Sequence, residues 1–188
     1  MIKQIKYFMP LIIILALSVF LYKGLSLEST KLDSMLKDKP IPRLALPSLF
    51  DETKQLTADN FLGQVTLYNV WATWCPSCHQ EHAYLMKIAY EDKVPIVGIN
   101  YREPDRTKAI SMLEKQGNPF VEVLYDGNGR FGIELGVYGA PETFVVDHQG
   151  VVRMRYAGII NDEIWQAKFL PLITHLNLNQ FNLHEQSL

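Results

Sequence analysis

The chain has 188 residues, 48% of them hydrophobic and 20% charged, with two cysteines and a formal net charge of -2. That length holds one ordinary domain and a short appendage, and a core of that size is stable without staples, so the two cysteines exclude a disulfide scaffold. Lys+Arg at 18 against Asp+Glu at 20 leaves no basic excess to neutralise a phosphate backbone, so nucleic acid is not an expected partner.

Residues 7–22 (YFMPLIIILALSVFLY) run without a charge between Lys3 and Lys6 on one side and Lys23 on the other, and they lift the mean hydropathy of the chain to about zero. Continued through Gly24-Leu25-Ser26-Leu27, the run reaches the about 17–25 apolar residues of a spanning helix, with Lys23 snorkelling to the interface. Residues 1–27 are therefore predicted to be an N-terminal membrane anchor. The alternative is a cleaved signal peptide, for which Gly24-x-Ser26 is a poor processing site. Lysines lie on both sides, Lys31, Lys37 and Lys39 among them, so the positive-inside rule leaves the orientation open.

Residues 28–39 are polar and lead to Pro40 and Pro42, a spacer before a domain expected over 40–176. Within it, 43–49 and 54–57 form a predicted hairpin, 65–71 an apolar strand and 76–90 a helix with Leu85, Ile88 and Ala89 on one face. A buried strand at 94–100 and a helix at 105–116 follow, the latter stopping at Gly117. A strand at 121–124 ends in the turn cluster 126–129. A second hairpin pairs 142–146 with 151–157, and a closing helix capped by Asn161 or Asp162 runs to about 175. Residues 177–188 are polar and read as a flexible tail. The order strand-helix-strand-helix-strand, then hairpin and helix, predicts an α/β domain: a central sheet with helices on both faces.

The chemistry lies in Trp71-Ala72-Thr73-Trp74-Cys75-Pro76-Ser77-Cys78-His79, where a buried strand gives way to a helix. A thiol at a helix N-terminus meets unpaired amide protons and the positive end of the macrodipole, both of which favour thiolate, so Cys75 is the expected nucleophile. Cys78, one turn on, is placed to close a disulfide and is expected to lie deeper, and Pro76 suits an early helical position. Such a pair cycles between dithiol and disulfide: Cys75 attacks a partner's disulfide and Cys78 resolves the mixed species.

Other readings of these residues are weaker. Zinc needs four ligands, and two cysteines beside His79 with no second pair do not supply them, so no metal is expected. Cys75-x-x-Cys78-His79 matches the attachment pattern of c-type haem, but it follows a buried strand, and Trp71 and Trp74, taken as stacked, crowd the place of a porphyrin. No cofactor is expected. A permanent structural disulfide would close a tiny loop and remove little chain entropy. His79 and His82, i and i+3 on one helix face, are read as solvated or facing a partner. A second constellation, Tyr138-Gly139-Ala140-Pro141-Glu142-Thr143, sets a proline at the head of a strand, which points to a cis Ala140–Pro141 peptide or an edge function. Placed against the cysteines, that arrangement leaves the Ala140 backbone free for an extended substrate strand.

Trp74-Cys75-Pro76-Ser77-Cys78 with the later Ala140-Pro141 resembles the thioredoxin fold. The stretches from Asn69 to Cys78, Glu81-His82, Gly117-Asn118-Pro119 and Gly136-Val137-Tyr138-Gly139-Ala140-Pro141-Glu142-Thr143 are similar to the membrane-anchored DsbE or CcmG family of thiol:disulfide interchange proteins. The resemblance implies a thioredoxin-like domain on the periplasmic side of the bacterial inner membrane that reduces apocytochrome c, or a CxxC-containing cytochrome c assembly factor, and is re-reduced by a DsbD-type transmembrane carrier. Trp74, Pro76, Tyr138, Ala140 and Pro141 are the substrate contacts it implies. Thioredoxins carry a buried aspartate six residues before the first cysteine, and Asn69 stands there in this chain. Asn69 cannot take a proton from Cys78, and Glu81 and Glu142 are the candidate replacement acids. Two further functions stay open on the residues: a disulfide-introducing oxidase, and a non-enzymatic docking module for apocytochrome.

Overall fold

A computed structural model describes the backbone of residues 2–25 and 36–185, with side chains over 9–22 and 36–178. The first element, helix α1 (Ile2–Leu25), is a compact unit separate from the rest of the chain. Residues 9–22 are exposed all round, with Leu15 and Phe20 among the most open. Among the described residues, no helix is long and apolar enough to cross a membrane. Residues 26–35 and 186–188, which take in most of the predicted spacer and the end of the predicted tail, lie outside the described residues.

The domain is built on a five-stranded mixed sheet in the order β5-β4-β3-β6-β7. Strands β3 (Thr66–Trp71), β4 (Ile96–Tyr101) and β5 (Glu122–Asp126) are parallel, and β6 (Glu142–Val146) and β7 (Val152–Ala157) are antiparallel to their neighbours. β3 and β4 are buried at every position, as strands covered on both faces should be. A short hairpin, β1 (Leu46–Pro47) with β2 (Gln55–Leu56), precedes them, narrower than the predicted 43–49 and 54–57.

Helices α2 (Pro76–Tyr90) and α3 (Arg106–Gln116) make successive crossovers from β3 to β4 and from β4 to β5. Both steps go the same way along the sheet, so the right-handed rule sets both helices on one face. Leu85, Ile88, Ala109, Met112 and Leu113 pack there on Leu67, Trp71, Ile96 and Val123. α5 (Asp162–Ile164), a π turn (Trp165–Phe169) and α6 (Leu170–Glu185) close the same face with Trp165, Phe169 and Ile173. The closing helix continues to Glu185, past the predicted end near 175. The opposite face is covered by the β1–β2 hairpin and by a helix absent from the sequence reading, α4 (Arg130–Leu135), whose Phe131 and Leu135 meet Tyr68, Val70, Ile99 and Phe144.

Trp71, the last residue of β3, stacks on Phe120 with ring centroids 5.5 Å apart rather than on Trp74. Gly98, beside it on β4, leaves the room: a Cβ there would come within 2.9 Å of Trp71 Nε1 and 3.0 Å of the Phe120 ring. Trp71 is thus a core residue that anchors the end of β3 just ahead of the cysteines.

Candidate active site

Cys75 is the N-cap of α2 and Pro76 its first residue, so the fixed φ of proline starts the helix where its missing N–H costs nothing. The two cysteines form a disulfide with Cα atoms 5.3 Å apart. Cys75 Sγ also accepts the backbone N–H of Cys78 at 3.1 Å. That N–H, shared with the Cys75 carbonyl at 3.1 Å, lies in the first turn of the helix and is aimed at the sulfur that must carry negative charge when the pair opens. Depth does not separate the two sulfurs, since both residues are almost fully buried in the disulfide form. What distinguishes Cys75 is its place at the cap. Trp74, half-exposed beside it, is steadied by an Nε1–H donated to the Arg102 carbonyl at 3.2 Å.

The Ala140–Pro141 peptide is cis, at the head of β6. Ala140 is half-buried, packs against the cores on both faces of the sheet, and none of the described residues bonds its backbone N–H or C=O. Tyr138 stands out from the same loop, 73% exposed, with the Arg155 guanidinium 4.7 Å from its ring centroid. Glu142 holds this loop from below. Its Oε1 accepts the N–H groups of Tyr138 at 2.9 Å and Gly139 at 3.0 Å, and its Oε2 accepts Arg155 Nε–H at 2.8 Å in a buried ion pair. In the β3–β6 register Glu142 pairs with Val70, whose side chain lies in the core opposite α2.

Glu81 is on the other face, one turn beyond Cys78 on α2 and 1% exposed. Residues three apart on a helix lie side by side, so its carboxyl and the Cys78 sulfur share one face of α2. Its oxygens accept Asn69 Nδ2–H at 2.9 Å and the Ile160 backbone N–H at 3.0 Å. Asn69 Nδ2 also donates to Thr143 Oγ1 at 3.0 Å. Burial outweighs these two donors and pushes the Glu81 carboxyl up to about 7. Of the two candidate acids, the structure brings Glu81 to the helix face of Cys78 and gives Glu142 to the cis-proline loop.

Two residues of the surround had no part in the sequence reading or stand differently in the structure. Glu103 is buried after β4 and accepts both the N–H of Thr73, at 3.0 Å, and the Thr73 hydroxyl, tying down the loop that delivers Trp74 and Cys75. His82, expected to face solvent or a partner, is instead buried, with Nε2 3.1 Å from the Gly117 carbonyl at the end of α3. Desolvation holds its pKa below the usual value. Its i, i+3 neighbour His79 does sit at the surface, Nε2 2.9 Å from the Thr73 carbonyl. The two histidines thus meet different surroundings on one helix, which spacing alone does not reveal.

A redox disulfide at the N-terminus of a helix that follows the central strand of a mixed sheet, facing a cis-proline loop, defines a thioredoxin-like thiol:disulfide oxidoreductase. The Redoxin family model matches residues 36–168. The thiol:disulfide interchange protein DsbE of Allochromatium vinosum is 47% identical over 164 residues, 87% of this chain and 90% of that protein, and the DsbE of Yersinia pestis is 46% identical over 173 residues, 88% and 90% of the two. Among solved structures, a secreted thiol-disulfide isomerase from Corynebacterium glutamicum superposes with a TM-score of 0.63 at 26% identity, covering 71% of this chain and 85% of that one. A thio-disulfide isomerase from Thermus thermophilus does so at 0.59 and 26%, covering 72% and 95%. The chain belongs to the redoxins and, within them, to the DsbE/CcmG family of thiol:disulfide interchange proteins.

Proposed function

We propose that this oxidoreductase works as a reductant in cytochrome c biogenesis, opening disulfides of apocytochrome c or of a CxxC-containing assembly factor so that haem can be attached. The observation that carries the reading is the cap of α2, where the Cys78 N–H meets the Cys75 sulfur at the open end of a helix. From the dithiol form, Cys75 thiolate attacks one sulfur of the partner's disulfide, making a mixed disulfide and releasing the other partner sulfur as thiolate. Cys78 then gives its proton to Glu81, and its sulfur displaces the partner from Cys75. The products are the Cys75–Cys78 disulfide and two partner thiols, with two electrons passed to the partner. Trp74, Pro76 and Tyr138 frame the approach, and the unbonded backbone of Ala140 beside Pro141 receives the partner as an extended strand.

A periplasmic site follows from the same reading, because a reductant for apocytochrome c is needed only where thiols would otherwise oxidise. Anchoring in the inner membrane is supported by the exposed apolar surface of residues 9–22 and by the longer uncharged run 7–22 in the sequence. The return of electrons is assigned to a DsbD-type transmembrane reductant.

The test is a trap. Cys78→Ser should accumulate a mixed disulfide through Cys75 with a CxxCH-containing protein, and the absence of such an adduct while Cys75 stays reactive sinks the assignment to haem-protein maturation. The midpoint potential fixes the direction: about -270 mV suits a reductant and about -120 mV an oxidase. A Cys75→Ser/Cys78→Ser double variant that still supports cytochrome c assembly without added thiol would make the chain a docking module.

A further inference from the structure

Asn69 has no exposed surface, and its side-chain bonds are lopsided. Its amide nitrogen donates twice, to Glu81 Oε1 and Thr143 Oγ1, while its amide oxygen is buried without a partner. A buried carbonyl left unpaired is costly, and a leucine of similar volume would avoid the cost. The arrangement suits an ionised Glu81, which only accepts hydrogen bonds. It does not suit the carboxylic acid, whose O–H needs an acceptor.

We propose that the Asn69 amide turns over about its Cβ–Cγ bond as Glu81 changes protonation state, and is thereby the positioning residue that lets Glu81 take up and release the Cys78 proton. This rests on Glu81 as proton acceptor in the resolving step. The bond count is the same either way. With the carboxylate, Asn69 Nδ2 donates to Glu81 and to Thr143, and Ile160 N–H donates to the second oxygen. With the acid and a turned amide, Glu81 O–H and the Thr143 hydroxyl both donate to Asn69 Oδ1, and Ile160 N–H keeps its place. Only the orphan atom changes, from Oδ1 to Nδ2. The amide oxygen and NH₂ are close in size, so the turn needs no repacking, and Thr143 serves both states because a hydroxyl donates and accepts. Burial brings Glu81 up to about 7, so both states are populated near neutral pH.

Few other groups compete for control of this carboxyl. On its own helix, Cys78 shares its face and His82 turns to Gly117. From β7, Tyr156 lies across from Thr143, with Lys168 over its ring. Glu142 and Arg155 pair on the opposite face of the sheet. Lys87, Tyr84 and Asp162 meet at the exposed rim of α2.

In the experiment, reduced full-length protein is mixed with a peptide disulfide, and attack by Cys75 and release by Cys78 are followed as separate phases from about pH 5 to about pH 9. Asn69→Leu should raise the midpoint of the release phase by about one pH unit, a tenfold change in proton concentration, with the attack phase unmoved, because the bond lost from the carboxylate is charge-assisted and stronger than the one lost from the acid. Asn69→Asp should split the profile into two titrations, as two coupled carboxyls do. Slowing by one factor at every pH, with the midpoint in place, overturns the proposal and leaves Asn69 a packing residue. In the unaltered protein, the NMR signals of the Asn69 NH₂ should titrate with Glu81 and stand still in Glu81→Gln. Amide signals that stay fixed across the range in the unaltered protein also overturn it. A protein with no release phase at all defeats the reductant reading instead, and the amide signals then decide the role of Asn69 on their own.

Discussion

Two glutamates lie on opposite faces of one sheet, both almost without exposed surface, and they differ in their company. Glu142 has a guanidinium and two backbone amides around it, whereas Glu81 has a side-chain amide and one backbone N–H and, among the described residues, no paired cation. Desolvation always favours the neutral carboxyl, and where nothing positive offsets it the group becomes able to hold a proton near neutral pH. One region therefore uses a buried glutamate to build a loop, and the other holds one that can keep a proton near neutral pH. Nearness to the cysteines in sequence motifs does not tell them apart; their partners do.

The contrast can be broken most severely from the Glu142 side. Arg155→Leu strands a carboxylate in the core and should cost about 3–5 kcal/mol in urea unfolding, most of it recovered when Glu142→Gln is added to the same chain. A loss below about 1 kcal/mol would mean that the ion pair does not hold the loop.

A somewhat smaller effect belongs to Glu81. Its folded value of about 7 lies above the ordinary 4.5, so between those values the unfolded chain gives up a proton that the folded chain keeps. Stability should therefore fall as pH rises through that window, by about 3 kcal/mol in all, and Glu81→Gln should flatten the slope. Urea midpoints measured on both sides of the window check this, and an equal slope in the glutamine variant would place its origin elsewhere.

The smallest effect sharpens the line between the two regions. Thr143 follows Glu142 in sequence yet faces Asn69, so Thr143→Val should cost about 1 kcal/mol. Hydrogen exchange at the Tyr138 and Gly139 amides should be unaffected, because their acceptor is on the other face.

Much of the fold was legible because its signals are local. The runs 65–71 and 94–100 are mostly apolar and carry no charge, Asp105 and Asn161 cap helices with their own side chains, and Gly117 stops α3. α4 escaped notice because it is six residues long with a glycine inside it. That glycine is required by packing, since a Cβ on Gly132 would lie 2.4 Å from the Tyr101 ring. The closing helix was predicted too short because Asn177, Asn179 and Asn182 read as a polar tail, while Leu172, Ile173 and Leu176 keep its inner face apolar. At the site, the cysteines and the proline loop were plain from spacing. The separate fates of Glu81 and Glu142 were not, because they depend on the β3–β6 and β6–β7 registers, which bring Arg155 under one and Asn69 under the other. Glu103 had no motif at all. It follows Arg102, whose φ of 49° bends the chain back toward Thr73, and no periodic pattern encodes that turn.

The segment 38–49 touches the outer strands at both sides of the sheet. Asp38 and Ile41 donate to Val152 and Gly150 beside β7, and Leu49 N–H reaches Val123 on β5 while Ser48 bridges Leu124. One stretch of chain thus works as a hem for two borders, and its Ile41 and Leu46 are buried in the core it crosses. Cutting into it would bare two templates for strand addition together with an apolar floor, so a truncated domain should clump long before its active site fails.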